Sequence, residues 1–521
     1  MSRAADVLFR MRRKGVRIWS DGNQLGYEAP AGSLNSDEIQ TLRELKGEIV
    51  DFLRQLPTST TTEPRLQPRS PDESVPLTFS QVWLCNKLKW DERPSRAIVL
   101  PRAMRISGRL NSELLRRSLT ELVRHHESLR TRLVKVGGIP MQQVDTAGEF
   151  DLGLIDLSDL SKPERESEVN RIVEQLTWGA RAARPLFEAR LVKLATRDHL
   201  LLIVLDHLIS DQASIDILFR DVFSLYIQFL RLSPHSLPVI PIQFADYAVW
   251  QRTAEKHWVA NHDIYWKQRL TGARRLGPAS PGVTPATSNI RALTLPFKLG
   301  ETLSSELREV SRRSRTTLVM SVLTAYVITV MRWYDQADIV IPFISLGRHH
   351  SEVENTIGFF GVPLFLRITS VEKDSLLDLL QRTTGEYRNA CEHHDCCRIA
   401  AQMPEPEFAW NPTFNWLPYN IKTTANMETT ETIRGCGDCD AINLEPCELE
   451  ITTREVIWCD GELRIDLADT PQGIAGSIGY RADCFTADAI ERFRASFQGF
   501  AERLARDPQS PIATLSLARQ A

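Results

Sequence analysis

A chain of 521 residues is longer than one hydrophobic core can organise, so two or more domains are expected. Its 63 basic and 66 acidic residues leave a net charge of -3, with 42% hydrophobic and 25% charged residues. That balance excludes a chain built around polyanion binding and, with no run of roughly 18 to 20 apolar residues, one built to cross a bilayer as a helix. The opening MSRAADVLFRMRRKG lacks the uninterrupted apolar core of a signal peptide, so a cytoplasmic protein is expected. Nine cysteines scattered along such a chain read as reduced thiols.

In chain order, residues 1–55 read as a small unit of helix, hairpin and helix. Ala4–Lys14 is amphipathic, and Val16, Ile18 and Trp19 face Leu25, Tyr27 and Ala29 across the turn signal Asp21-Gly22-Asn23. A helix from Ser36 to Leu53 follows, capped by Asn35 or Ser36, with Asp37 and Glu38 in its first turn. Residues 56–74, rich in Pro, Ser and Thr, read as a flexible linker that cannot bury a core. Beyond Val75, helical runs such as Ser112–His125 and Leu318–Trp333 alternate with strands such as HLLLIVLDH and ADIVIPFIS. Mixed α/β layers in two lobes, 75–255 and 256–521, are the expected architecture. The last predicted element is a helix of about twenty residues with a short tail. Cys436 and Cys439 form a CxxC, and His393, His394, Asp395, Cys396 and Cys397 cluster upstream. The spacing fits no standard zinc finger, so no metal is predicted.

Several motifs occur in an order and spacing that resemble the condensation domains of nonribosomal peptide synthesis. They are Ser80-Gln81-Val82-Trp83-Leu84, His126-Glu127-Ser128-Leu129-Arg130-Thr131, Asp206-His207-Leu208-Ile209-Ser210-Asp211-Gln212 at the active-site motif HHxxxDG, Phe244–Trp250, and Ile357-Gly358-Phe359-Phe360. HHDCC and NPTFNWLP stand, faintly, at the last two. Residues 1–55 independently resemble the β-hairpin docking domain found in front of such enzymes. The resemblance implies two chloramphenicol-acetyltransferase-like lobes in a V, with a central tunnel entered by the phosphopantetheine arms of two carrier proteins. It implies a free-standing, monomeric condensation enzyme that forms an amide or an ester. No resident cofactor is expected. Donor and acceptor arrive in trans, from upstream and downstream carriers or as a free small molecule.

His207 stands at the second His position of the motif, the one to which the family assigns catalysis. It follows an apolar strand, where a side chain can enter a cleft and serve as base toward a hydroxyl or as orienter of an amine. Asp211 matches the family's structural aspartate, and Arg348 is the arginine expected to pair with it. Three positions depart from the pattern. Asp206 replaces the first His, Gln212 replaces a Gly that leaves room for the pantetheine arm, and Val362 falls where an Asn touches substrate. Asp206, Asp211 and Ser214 also match DxxxxDxxS of heterocyclisation domains, which do not normally carry His207. A non-catalytic recruiting platform is the third reading, motivated by the departures. In the docking unit, Arg3, Arg10, Arg12, Arg13, Lys14 and Arg17 outnumber Asp6. The expected partner is an acidic carrier tail with apolar anchors for Trp19 or Tyr27, not nucleic acid.

Overall fold

The computed structural model describes residues 17–21, 24–28, 36–49, 64–88, 99–178, 185–234, 236–276, 292–371, 373–393, 411–417, 431–433, 442–447, 462–482 and 484–514. At the N-terminus, β1 (Arg17–Asp21) and β2 (Gln24–Glu28) pair antiparallel with Asp21 opposite Gln24. Ile18 pairs with Tyr27 and Trp19 with Gly26. Helix α1 (Ser36–Glu44) follows, and amide bonds from Leu45 to Thr41 and from Ile49 to Leu45 extend helical geometry to Ile49. The predicted helix 4–14 and the capping residue Asn35 lie outside the described residues.

Part of the predicted flexible linker is fastened to the body. Within 64–74, Arg69 Nη1 lies 2.6 Å from Asp246 and 2.9 Å from Glu127. Trp250 donates its indole N–H to the Pro64 carbonyl at 2.6 Å. Composition alone misses this because one arginine clamped between two acids gives charge-assisted bonds that hold a Pro-rich segment without a core of its own.

The first half continues with β3 (Val75–Pro76), α2 (Phe79–Leu88), β4 (Val99–Ser107), α3 (Ser112–His125), β5 (Thr131–Val136), β6 (Ile139–Val144), β7 (Gly153–Asp156), α4 (Lys162–Trp178), β8 (Phe187–Ala195), β9 (Asp198–Asp206) and α5 (Gln212–Leu230). Strand β9 is apolar on both faces. Leu201, Ile203 and Leu205 pack with α3 and α5, whereas Leu200, Leu202 and Val204 pack with α4. Burial on both faces explains why its sequence is a continuous apolar run rather than an alternation.

Helix α6 (Phe244–Leu270) runs without a Pro or Gly for 27 residues. The division expected between residues 255 and 256 falls within this helix, which runs through both positions. The second half contains β10 (Ala292–Lys298), α7 (Glu301–Arg313), α8 (Leu318–Tyr334), β11 (Asp338–Ser345), β12 (Val362–Thr369), α9 (Leu376–Glu392), β13 (Thr413–Leu417), β14 (Glu431–Ile433), β15 (Ile442–Cys447), β16 (Leu463–Thr470), β17 (Gly473–Arg481) and α10 (Ala487–Arg506). A six-stranded sheet of order β10-β17-β16-β13-β11-β12 buries one face against α7, α8, α9 and α10. The other six-stranded sheet has the order β14-β15-β4-β9-β8-β7. Strands β14 and β15 thus come from the second half of the chain and complete the sheet of the first, with Asn443 opposite Ser107 and Cys447 opposite Ala103. No single helix among the described residues is long and apolar enough to cross a membrane.

Candidate active site

The site forms where β9 ends and α5 begins. Residues 206–210 make a tight turn tied by its own bonds. The Leu208 amide donates to Asp206 Oδ1 at 2.9 Å, and the Ser210 hydroxyl donates to the Asp206 carbonyl at 2.9 Å. Gln81, fully buried in the first motif, donates to the Leu208 carbonyl at 2.8 Å and fixes the turn from outside. Asp206 is itself buried, so the aspartate in place of the first His serves the backbone of this turn.

His207 is half-buried, and its ring lies 4.5 Å from that of Phe359. Its Nδ1 is 2.6 Å from the Ser210 carbonyl oxygen. A carbonyl only accepts, so Nδ1–H is the donor of this bond, and in the tautomer protonated at Nδ1 the lone pair lies on Nε2. That tautomer is the one a base requires. Asp211 caps α5: its Oδ1 accepts from the Ser214 amide at 2.8 Å and the Ser214 hydroxyl at 2.7 Å.

Arg348 reaches the same carboxylate, with Nη2 at 2.9 and 3.1 Å from its two oxygens and at 3.2 Å from Ser214 Oγ. Nη1 donates to the Val353 and Thr356 carbonyls at 2.9 and 2.7 Å. The ion pair is nearly out of solvent, with side chains 9% and 7% exposed. The Phe360 amide donates to Asp211 Oδ2 at 3.3 Å, and the Gly358 amide donates to Ser214 Oγ at 3.1 Å. The loop between β11 and β12 is thereby sewn onto the start of α5. Two glycines allow the approach. Gly347 has φ +66°, and a Cβ there would lie 1.7 Å from the Phe360 carbonyl oxygen. A Cβ on Gly358 would strike the Phe244 ring at 2.3 Å.

Gln212, at the position of the family's glycine, turns its Oε1 to Arg102 Nη2 at 2.6 Å. Val362 lies in the core, 8% exposed, and offers no polar contact of the kind an asparagine would. Sequence reasoning passed over Gln81, Phe359, Arg102 and Asp216. Gln81 and Phe359 sat in quoted motifs without a role. Arg102 interrupts the apolar face Leu100, Met104, Ile106 of β4, and that lone arginine was the available signal.

The remaining motifs brace this geometry. His126 Nε2 lies 3.0 Å from Asp221 Oδ2, both buried. Burial pushes the His126 imidazole below its ordinary value, keeping it neutral. Ser128 donates to the Ile357 carbonyl at 2.5 Å and Thr356 to the Ile242 carbonyl at 2.7 Å, further seams between the halves. Arg12, Arg13, Lys14, Cys436, Cys439 and residues 394–397 lie outside the described residues. Arg17, Trp19 and Tyr27 are placed by the hairpin register alone.

The Condensation domain family model matches residues 72–521, and the chain belongs to that family. A second model, the TubC N-terminal docking domain, matches residues 5–55, so this is a condensation domain that carries a docking domain in front. A linear gramicidin synthase protein of Brevibacillus parabrevis is 28% identical over 88% of this chain, and a surfactin synthase protein of Bacillus subtilis is 25% identical over 87%. The chain spans only 9% and 12% of those proteins. Among solved structures, the SgcC5 protein of Streptomyces globisporus aligns with a TM-score of 0.65 at 24% identity, covering 84% of this chain and 100% of that one. The EpoB cyclization-docking bidomain of Sorangium cellulosum aligns with a TM-score of 0.65 at 19% identity, covering 97% and 99%. The chloramphenicol-acetyltransferase-like α/β fold is the one these neighbours share.

Proposed function

We propose that the chain transfers an acyl, peptidyl or polyketide group from the phosphopantetheine thioester of a carrier protein to an amine or hydroxyl, forming an amide or ester. The observation that carries this reading is the Nδ1–H of His207 held on the Ser210 carbonyl at 2.6 Å, which leaves Nε2 free to act. The acceptor's nitrogen or oxygen attacks the thioester carbonyl, its proton passes to Nε2, and the C–S bond breaks to return the thiol on the arm. No resident cofactor enters this scheme; the arm arrives with its carrier.

Intact mass spectrometry of an acyl-loaded carrier, incubated with the protein and a panel of amine and hydroxyl acceptors, tests the reading. The expected result is unloading of the carrier together with an acceptor enlarged by the acyl group. Further loss of water from a Cys-, Ser- or Thr-loaded carrier would instead mark heterocyclisation through the Asp206, Asp211 and Ser214 motif. No transfer with any carrier would mark a recruiting platform.

The docking unit is proposed to capture an acidic C-terminal segment of an upstream carrier by adding it as a strand to the hairpin edge. Deleting residues 1–55 should slow transfer from the cognate carrier about 10- to 100-fold at low concentration, and leave a small thioester surrogate at its full rate. The deletion spares residues 64–74, which the catalytic body holds. Equal loss with both donors would show that the unit supports the fold instead.

A further inference from the structure

Beyond His207, a second group of polar side chains gathers around Gln212 at the start of α5, and the proposed reaction gives it no task. Arg102 lies on β4 opposite Ile203 of β9, on the face that packs against α5. Its Nη1 donates to the Pro101 carbonyl at 2.8 Å and its Nη2 to Gln212 Oε1 at 2.6 Å. Both acceptors are neutral. No Asp or Glu oxygen among the described residues lies within 4.0 Å of it. The charges that act on it are Asp216, one turn along α5 from Gln212, and Arg464 of β16, whose like charge opposes it. Burial, first, and then that repulsion draw the guanidinium down to about 10, and burial pushes the Asp216 carboxyl up to about 7. The counter-charge for Arg102 is therefore incomplete. Across from it, Arg464 is held by Asp466 at 2.8 Å, and Asp466 by Asn415 at 2.8 Å. These polar residues alternate with the buried Leu463, Ile465 and Leu467, so they line the face of the second sheet turned away from its helices.

A partly buried guanidinium, bonded only to neutral acceptors and acted on by the like charge of a second arginine, is a site short of one negative charge. A carboxylate matches its planar fork in two parallel bonds. We infer that Arg102, aimed by Gln212, binds the free carboxylate of a small-molecule acceptor, so that this enzyme's acceptor is an amino or hydroxy carboxylic acid. Gln212 is then a positioning residue. That accounts for a long amide where the family has glycine: its carbonyl end holds the arginine, and the acceptor's anion rather than the pantetheine arm is what it serves. The phosphate of the arm is the other anion at hand, but it sits at the far end of the arm from the thioester. Gln212 follows His207 by only five residues.

The inference rests on the acyl-transfer reading, and its test separates the two. The probes are hydroxy and amino carboxylic acids, such as 3-hydroxybutyrate and β-alanine, each paired with its methyl ester. Saturation-transfer NMR reads their binding without any turnover. Acids should bind the wild type about 10- to 100-fold more tightly than their esters, the range of a charged hydrogen bond. Arg102→Gln should erase that preference, and Arg102→Lys, which keeps the charge and loses the fork, should leave part of it. Equal binding of acids and esters to the wild type, or an unchanged preference in Arg102→Gln carrying wild-type stability, overturns the inference. Should Arg102→Gln fail to fold, Gln212→Ala, which frees the arginine from its holder, should weaken the same preference, and an unchanged ratio there counts against the inference. Acids that bind through Arg102 yet yield no product would overturn the acyl-transfer reading and leave this one standing.

Discussion

His207→Ala should lower single-turnover transfer from a loaded carrier by about 100- to 10,000-fold, the contribution of a positioned acid-base group. The fold should survive. The ring is half-buried and touches Phe359 and the Ser210 carbonyl, so its removal strands one acceptor on a turn that Asp206 and Gln81 still hold. The loss should depend on the acceptor. A hydroxyl must shed its proton as it attacks, so an ester-forming reaction should fall toward the large end of the range. An amine already carries a nucleophilic lone pair, and there the ring's task of orienting it should bring the loss toward the small end. Rates are to be read by rapid quench with the melting temperature measured alongside. Transfer within a few-fold of wild type, with either acceptor class, would remove His207 from the chemistry.

Asp211→Ala should act through the fold. The substitution strips the N-cap from α5 and leaves Arg348 nearly buried without its only carboxylate partner among the described residues. Breaking a buried pair on one side costs about 3 to 5 kcal/mol, and the missing cap adds about 1 kcal/mol. Urea denaturation should show the midpoint falling accordingly, with activity lost in parallel. Removing both charges, Asp211→Ala with Arg348→Met, should recover much of the stability because no ion is left alone. If Asp211→Ala unfolds like the wild type while turnover drops, the aspartate belongs beside His207 in the reaction.

The turn that carries His207 was legible because its residues are contiguous: an apolar strand, then a polar motif, then a helix with Asp and Ser three apart. The chain-order reading also found the hairpin of β1 and β2 through its turn chemistry. What it could not find depends on distance along the chain. Arg102 and Gln212 are 110 positions apart, and nothing local in VLPRAMRIS says which helix its arginine will meet. The fastening of Arg69 between Glu127 and Asp246 overruled a composition that reads as linker. The continuity of α6 through residues 255 and 256 was equally hidden from a change of pattern, since backbone bonding ignores which side chains pack where. The choice of β15 as neighbour to β4 is of the same kind, because edge pairing is set by where the chain returns rather than by periodicity.

That pairing bears on how the protein is made. Ser107 and its partner Asn443 lie roughly 340 positions apart, a stretch that occupies a ribosome for on the order of 20 to 70 s at about 5 to 20 residues per second. Throughout that time the outer edge of β4 has its amides and carbonyls bare, an invitation to any other nascent strand. The sheet of the first half is therefore completed only when β15 has been synthesised and has returned to β4.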